Sequence, residues 1–313
     1  MKGMTRMAID LEAAIRKWAL DSLPYDRNDP DVCSEISGKD ARELLIVYHN
    51  WMRRHIFRNA RKVHISKAYA ANPITTQRKA DLDALISKIE TGEELKPHLS
   101  TRVATVLEPS SKKLARRQDL DLMLIEWEVH HLHISQEMQP NGFVKRDDPL
   151  LFCVFHTRDA YLLDVMTHKD FNRDHILKVM ADEWPNAGLI HELKASAGQK
   201  IIGLAKKYTE DERNALRKIG INTLVEIDGR VYKPAGGMTG AGTSVRASLA
   251  ADKVITSTNR LEHALRTDPG QFQRFAQQYG LTWPQNPTFE FGVLEPTGLA
   301  FKELSTNLAL AVA

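Results

Sequence analysis

Two apolar runs separated by four residues constrain the fold of this chain more than any other feature. Leu150-Leu151-Phe152-Cys153-Val154-Phe155 is continuously apolar, the pattern of a strand covered on both faces. The short turn His156-Thr157-Arg158-Asp159 joins it to a second strand-like run, Ala160 to Thr167. That spacing predicts an antiparallel hairpin.

Around this hairpin the other elements read as follows. Apolar spacing predicts a helix over residues 8–20, closed at the Leu23-Pro24 step because the residue before proline avoids helical geometry. Tyr25 to Ser34, rich in Asp, Asn and Pro, reads as a loop. Ala41, Leu44, Leu45, Tyr48, Met52 and Ile56 make the apolar face of an amphipathic helix. A third helix runs from about Thr76 to Thr91 with Gly92 ending it, and Leu95 to Ser111 reads as a connector. Leu120 to Trp127 fits a short helix or a first strand, and Gln136 to Asp148 a loop or wide hairpin connection. Asn172 is the expected cap of a helix that stops at Trp184-Pro185. Further on come a capping box at Thr209-Glu210-Asp211-Glu212, a helix ending at Gly220 and a hairpin over 223–232 turning at Asp228-Gly229. A helix to about Leu265 and an edge strand over Thr288 to Val293 complete the expectation. The fold class is α+β: a helical N-terminal module plus a small, mainly antiparallel sheet packed with helices. The expected division is a basic module over 1–110, an α+β core over 111–270 and an extension over 271–313.

The chemistry is concentrated just before the hairpin, in Val129-His130-His131-Leu132-His133-Ile134. On a strand alternate side chains share a face, so His131 and His133 go together as candidates for an exposed site while His130 faces the other way. The second hairpin strand ends in His168-Lys169. Three readings compete. Neutral imidazoles are common metal ligands, with His168, His156 or Asp164 available to complete a site, although no HExxH is present. Metal-free acid-base cleavage of RNA needs one base, one acid and a cation, because the 2′-hydroxyl of the substrate is itself the nucleophile. His131, His133, His168 and Lys169, with Arg158 as a further cation, supply that set without cofactor or metal. The third reading is a binding protein with structural histidines.

Net charge is only +3, but basic residues cluster. Arg53, Arg54, Arg58, Arg61 and Lys62 lie in one stripe, and Lys112, Lys113, Arg116 and Arg117 form a second knot. Clusters of this kind suit a phosphate backbone, and they equally suit a solvated helix face. Gly237, Gly240 and Gly242, followed by Thr243 and Ser244 at a helix start, could cradle a phosphate, yet they match neither a Walker loop nor GxGxxG. With no apolar run near the roughly 20 residues of a membrane span and only two cysteines, the expectation is a cytoplasmic protein without membrane contact or disulfides.

The basic or histidine-bearing strand, the apolar strand, and the strand ending in His-Lys before a helix together resemble the small ribonuclease fold of RelE-like toxins. The likeness covers about Asp119 to Trp184. It implies a metal-independent endoribonuclease of toxin or phage-defence type, with His131, His133, His168 and Lys169 at the matching positions, RNA as the favoured partner and an inhibitory protein as a possible second one. The chain is several times longer than such toxins and lacks their leading helical pair in compact form, which weakens the expectation of ribosome-dependent cleavage more than that of RNA cleavage. Oligomeric state has no signal in the sequence.

Overall fold

A computed structural model describes residues 9–107, 121–167, 174–294 and 298–313 of the chain. The elements begin with α1 (Leu11–Ser22), α2 (Pro30–Ser37), α3 (Ala41–Met52), β1 (Lys62–Ile65), α4 (Lys67–Ala71), α5 (Pro73–Gln77) and α6 (Lys79–Thr91). Next come α7 (Leu122–Trp127), β2 (His130–His133), β3 (Leu150–Phe155), β4 (Asp159–Met166), α8 (His175–Glu183) and β5 (Ile190–Glu192). The chain continues through α9 (Glu210–Lys218), β6 (Val225–Ile227), β7 (Arg230–Pro234), α10 (Val245–Thr267) and α11 (Pro269–Gln277) to β8 (Phe289–Leu294), β9 (Gly298–Glu303) and β10 (Ala309–Ala311). The fold is α+β.

Two compact units emerge, each assembled from separated stretches of sequence. Of the described residues, one unit comprises 9–49, 105–107, 247–294 and 298–313, the other 50–104, 121–167 and 174–246. The consecutive division at 110 and 270 is therefore corrected. Residues 50–104 join the central stretch because β1 pairs with β4, a long-range contact that a four-residue strand inside a basic segment does not announce.

The second unit is built on the expected hairpin. Its four-stranded sheet has the order β1-β4-β3-β2, with β1 parallel to β4 and the other pairs antiparallel. Both faces are covered, as a continuously apolar β3 requires. Phe152, Val154 and Leu163 pack under Ile176, Leu177 and Met180 of α8. Leu132, Leu151, Cys153 and Leu162 pack on the opposite face against Leu82, Leu85 and Ile89 of α6. Each fully buried side chain of this size contributes about 1.5–3 kcal/mol. The supposed connector after α6 is part of the same core, since Leu95, Leu99 and Val103 are buried there.

Other expectations resolve locally. Leu122–Trp127 is helical, with Asp121 accepting from the Leu124 amide. The loop before α3 is shortened by α2, because Asp29 caps Asp31 and Val32 ahead of a Pro30 suited to the first helical turn. The third helix is broken at Arg78 into α5 and α6, and Gly92 closes it in the left-handed region at φ 77°. The Thr209 capping box is formed, and Asp228 and Gly229 both take positive φ in the tight turn from β6 to β7. Asn172 lies outside the described residues.

The glycine-rich segment is an internal brace. Gly236 and Gly237 donate to the carbonyls of Glu126 and Ile125 at 3.1 and 2.9 Å, and Gly242, Thr243 and Ser244 donate to Thr239 O, Thr239 Oγ1 and Asn50 Oδ1. These amides are spent on internal acceptors, so the phosphate-cradle expectation for Gly237, Gly242, Thr243 and Ser244 is corrected, with Thr243 and Ser244 buried, while Gly240 is exposed at the turn. A Cβ on Gly236 would lie 2.2 Å from Ile125 O. Gly236→Ala should destabilise the unit by about 1–3 kcal/mol, read as a lower urea midpoint at unchanged slope.

A buried ion pair stands behind this brace. Arg217 of α9 donates to Glu126 of α7, their side chains only 3% and 2% exposed, and its guanidinium lies 4.3 Å above the Trp127 ring.

The first unit packs α1 against β8 of a three-stranded β10-β9-β8 sheet, with Trp18 edge-on to both Tyr48 and Phe291. The predicted strand near 288–293 is therefore present as β8, at a sheet edge. A cavity of about 720 Å³ opens in this unit between Leu11, Arg266, Trp283 and Phe289. None of the candidate residues from the sequence lines it.

Candidate functional site

Three strands put chemistry at the β1 edge of the sheet, where β4 begins. His64 stands directly opposite Tyr161 in the parallel register, so the two side chains share a face. Their rings stack at 4.8 Å with an interplanar angle of 12°. His64 Nε2 lies 2.8 Å from Asp159 Oδ1, and a carboxylate acceptor there holds the proton on Nε2 and leaves Nδ1 as the basic nitrogen.

His156 follows β3 and is held by its backbone. Its amide donates to Asp159 O at 2.8 Å, while its carbonyl accepts from Arg61 Nε at 2.9 Å. The exposed imidazole meets the Tyr161 ring edge-on at 5.4 Å, so two imidazoles contact one phenol ring. Trp184 also meets that ring edge-on, at 5.2 Å. Burial lowers the His156 pKa, helped by Arg246 and opposed by Asp159 and Glu128, and favours the neutral imidazole. Burial, with Asp159 adding to it, raises the Tyr161 pKa and keeps the phenol protonated as a donor.

Arg158, singled out from sequence, is exposed in the turn between His156 and Asp159, and its carbonyl accepts from the Lys62 amide. His131 and His133 do not occupy the exposed positions expected of them. His133 is 1% exposed, covered within the sheet core, and its carbonyl accepts from the buried His98. His131 is half-buried, its Nδ1 3.5 Å from Asp121, on the strand farthest from β1. Strand alternation correctly paired their faces but could not reveal that helices cover that face. His130 points to the opposite face, and burial pushes its pKa down to about 3. His168 and Lys169 lie outside the described residues, as do Lys112, Lys113, Arg116 and Arg117.

The basic stripe divides. Arg54 and Arg61 are buried, corrected from surface cations to braces that donate to Arg102 O at 2.7 Å and to His156 O and Asn59 O at 2.9 Å. Arg58 and Lys62 are exposed, and Arg53 is partly buried beside Glu128. His64, Asp159 and Tyr161 went unnoticed in the sequence because one histidine in a short half-exposed strand carries no density signal. Only the β1–β4 register assembles them.

A second imidazole–carboxylate pair sits at the other end of β4. A bulge leaves Leu163 unpaired between the partners of Phe152 and Cys153, and Asp164 is thereby aimed at Asn72 and His175, at 2.7 and 2.8 Å. Asn72 also caps Val165 O where β1 has stopped. The Asp164 hydrogen bond raises the His175 pKa against a smaller lowering by burial, so that contribution to stability is full below 6.5 and lost as pH rises through the raised value. Burial raises the Asp164 pKa, but hydrogen bonds from His175, Asn72 and Val165 outweigh it; this contribution is present above 3.8 and lost as pH falls through the lowered value. Urea midpoints across pH should therefore show His175→Ala losing most between 3.8 and 6.5 and less at alkaline pH.

Among the described residues no three His, Cys, Asp or Glu side chains are grouped so as to hold a metal ion, and no helix is long and apolar enough to cross a membrane. No family model matches the chain, and neither a curated protein nor a solved structure matches it.

Proposed function

We propose that this protein is a cytoplasmic, metal-independent endoribonuclease of toxin or phage-defence type, with its acid-base centre at His64, His156, Asp159 and Tyr161. The observation that carries the reading is the pair of imidazoles on one phenol ring, one tied to a carboxylate and the other favoured neutral. Groups whose environments differ in this way divide acid and base roles. His156 takes the proton of the 2′-hydroxyl as it attacks phosphorus. His64, with Asp159 as counter-ion, protonates the departing 5′-oxygen. Tyr161 and Arg158 offer a donor and a cation to the crowded phosphorane. The products are a 2′,3′-cyclic phosphate and a free 5′-hydroxyl.

The likeness to RelE-like toxins is part of this proposal. It draws support from the succession β2, β3, β4 and α8. Such an enzyme in a cell calls for an inhibitory partner. The metal-dependent alternative draws no ligand cluster from the described residues.

Substrate chemistry tests the proposal. With excess chelator present, an all-ribose oligonucleotide should be cut to cyclic-phosphate ends, and a 2′-deoxy sugar at the cut site should abolish that cut. A cut that tolerates the 2′-deoxy sugar, or that leaves 5′-phosphate ends, defeats the mechanism.

A further inference from the structure

Beside His156, two arginines converge on a single carboxylate oxygen. Arg53 Nη2, in the turn just after α3, lies 2.9 Å from Glu128 Oε1, and Arg246 Nε, in the first turn of α10, lies 3.2 Å from the same atom. Glu128 is held by an unusual backbone: it closes α7 in the left-handed region at φ 61°, a conformation non-glycine residues seldom take. The antiparallel register of β2 with β3 carries Glu128 toward Phe155 and hence toward His156. His156 senses the charges of both Glu128 and Arg246.

The charge and exposure of the trio are uneven. Two guanidiniums share one carboxylate, so the cluster keeps a net positive charge. Glu128 and Arg53 are largely covered, at 16% and 17% side-chain exposure, whereas Arg246 is 55% exposed. Arg53 spends a second donor on Leu124 O at 3.2 Å, and Arg246 spends one on Ala235 O at 3.4 Å. The contact of the exposed Arg246 adds little stability by itself. Its geometry suits a different role, since guanidinium groups already ordered around one anionic oxygen are arranged for phosphate, whose oxygens take the same charge-assisted hydrogen bonds.

We infer that Arg53 and Arg246 form a phosphate-docking pair for the RNA strand next to the cleaved bond, and that the Glu128 carboxylate occupies the pair until a backbone phosphate displaces it. This inference rests on the acid-base reading of His64 and His156 for its substrate. Arg246 supplies the outward contact. Glu128 keeps the guanidiniums ordered and partly neutralised when no strand is bound.

The test uses the full chain and a single-stranded 2′-O-methyl oligoribonucleotide, which has the backbone but not the nucleophile. Arg246→Ala should weaken binding about tenfold, as loss of one charge-assisted contact does. It should also reduce the salt slope by about 0.7, the share of one phosphate on a single strand. Glu128→Gln should act oppositely and tighten binding, because the competing carboxylate is gone. Melting curves check that both variants fold. Wild-type affinity and slope in Arg246→Ala, weaker binding in Glu128→Gln, or no binding by the unaltered protein would each overturn the docking pair. Cleavage of the all-ribose strand, run alongside, reports on the acid-base centre separately. Cleavage with unchanged Arg246→Ala binding defeats only the docking pair. The expected binding shifts without cleavage keep the pair and defeat the acid-base reading.

Discussion

His64→Ala should slow RNA cleavage by about 10²–10⁴-fold, the usual contribution of one positioned acid or base. Folding should be preserved, because the His64 side chain is 26% exposed and its backbone pairing with Tyr161 does not need the imidazole. Asp159→Asn should reproduce part of the loss, because the amide carries no counter-charge for the imidazolium and its NH2 group can face Nε2 and favour the other tautomer. The pH profile offers a second readout. His156 acts as base only when neutral and its pKa is lowered below 6.5, so the acidic limb of the rate profile should fall below that value and disappear in His156→Ala. A rate that follows pH identically in wild type and His156→Ala contradicts the base assignment.

The largest effect on stability is expected at Arg217. Removing one partner of a buried ion pair strands the other charge in a low-dielectric interior, at a cost of about 3–5 kcal/mol. Arg217→Met leaves Glu126 with both oxygens buried; among the described residues Oε1 already has no hydrogen-bond partner. The Trp127 ring also loses the guanidinium that covers it. Arg217→Met/Glu126→Leu removes the stranded charge together with its partner and should recover much of the loss. Denaturant titrations of both variants measure this coupling. A single variant within about 0.5 kcal/mol of wild type, the range of an ordinary surface change, would show that the pair carries no such weight.

Much of the scaffold is readable from sequence because its signals are local. The continuous apolar run Leu150 to Phe155 with its four-residue turn specifies the β3–β4 hairpin, and the Thr209 box and the Asp228-Gly229 turn specify their elements in the same way. The site is less legible because it depends on long-range pairing. Three histidines in four residues drew attention to β2, yet helices cover the face that His133 shares, and a period of two cannot say which face a helix will cover. His64 gained its partners through a parallel pairing across 95 residues of chain. Asp164 is re-aimed by a bulge, which no alternation pattern encodes. Arg54 and Arg61 read as surface cations because charge is visible in a sequence, whereas the backbone carbonyls that draw them inward are not.

The most direct measurement is cleavage of an all-ribose oligonucleotide in excess chelator by wild type and by His64→Ala/His156→Ala. Two imidazoles acting as acid and base predict cleavage that survives chelation in wild type and is lost in the double variant. Cleavage that appears only when a divalent metal is restored, or that persists undiminished without both imidazoles, would contradict the acid-base centre.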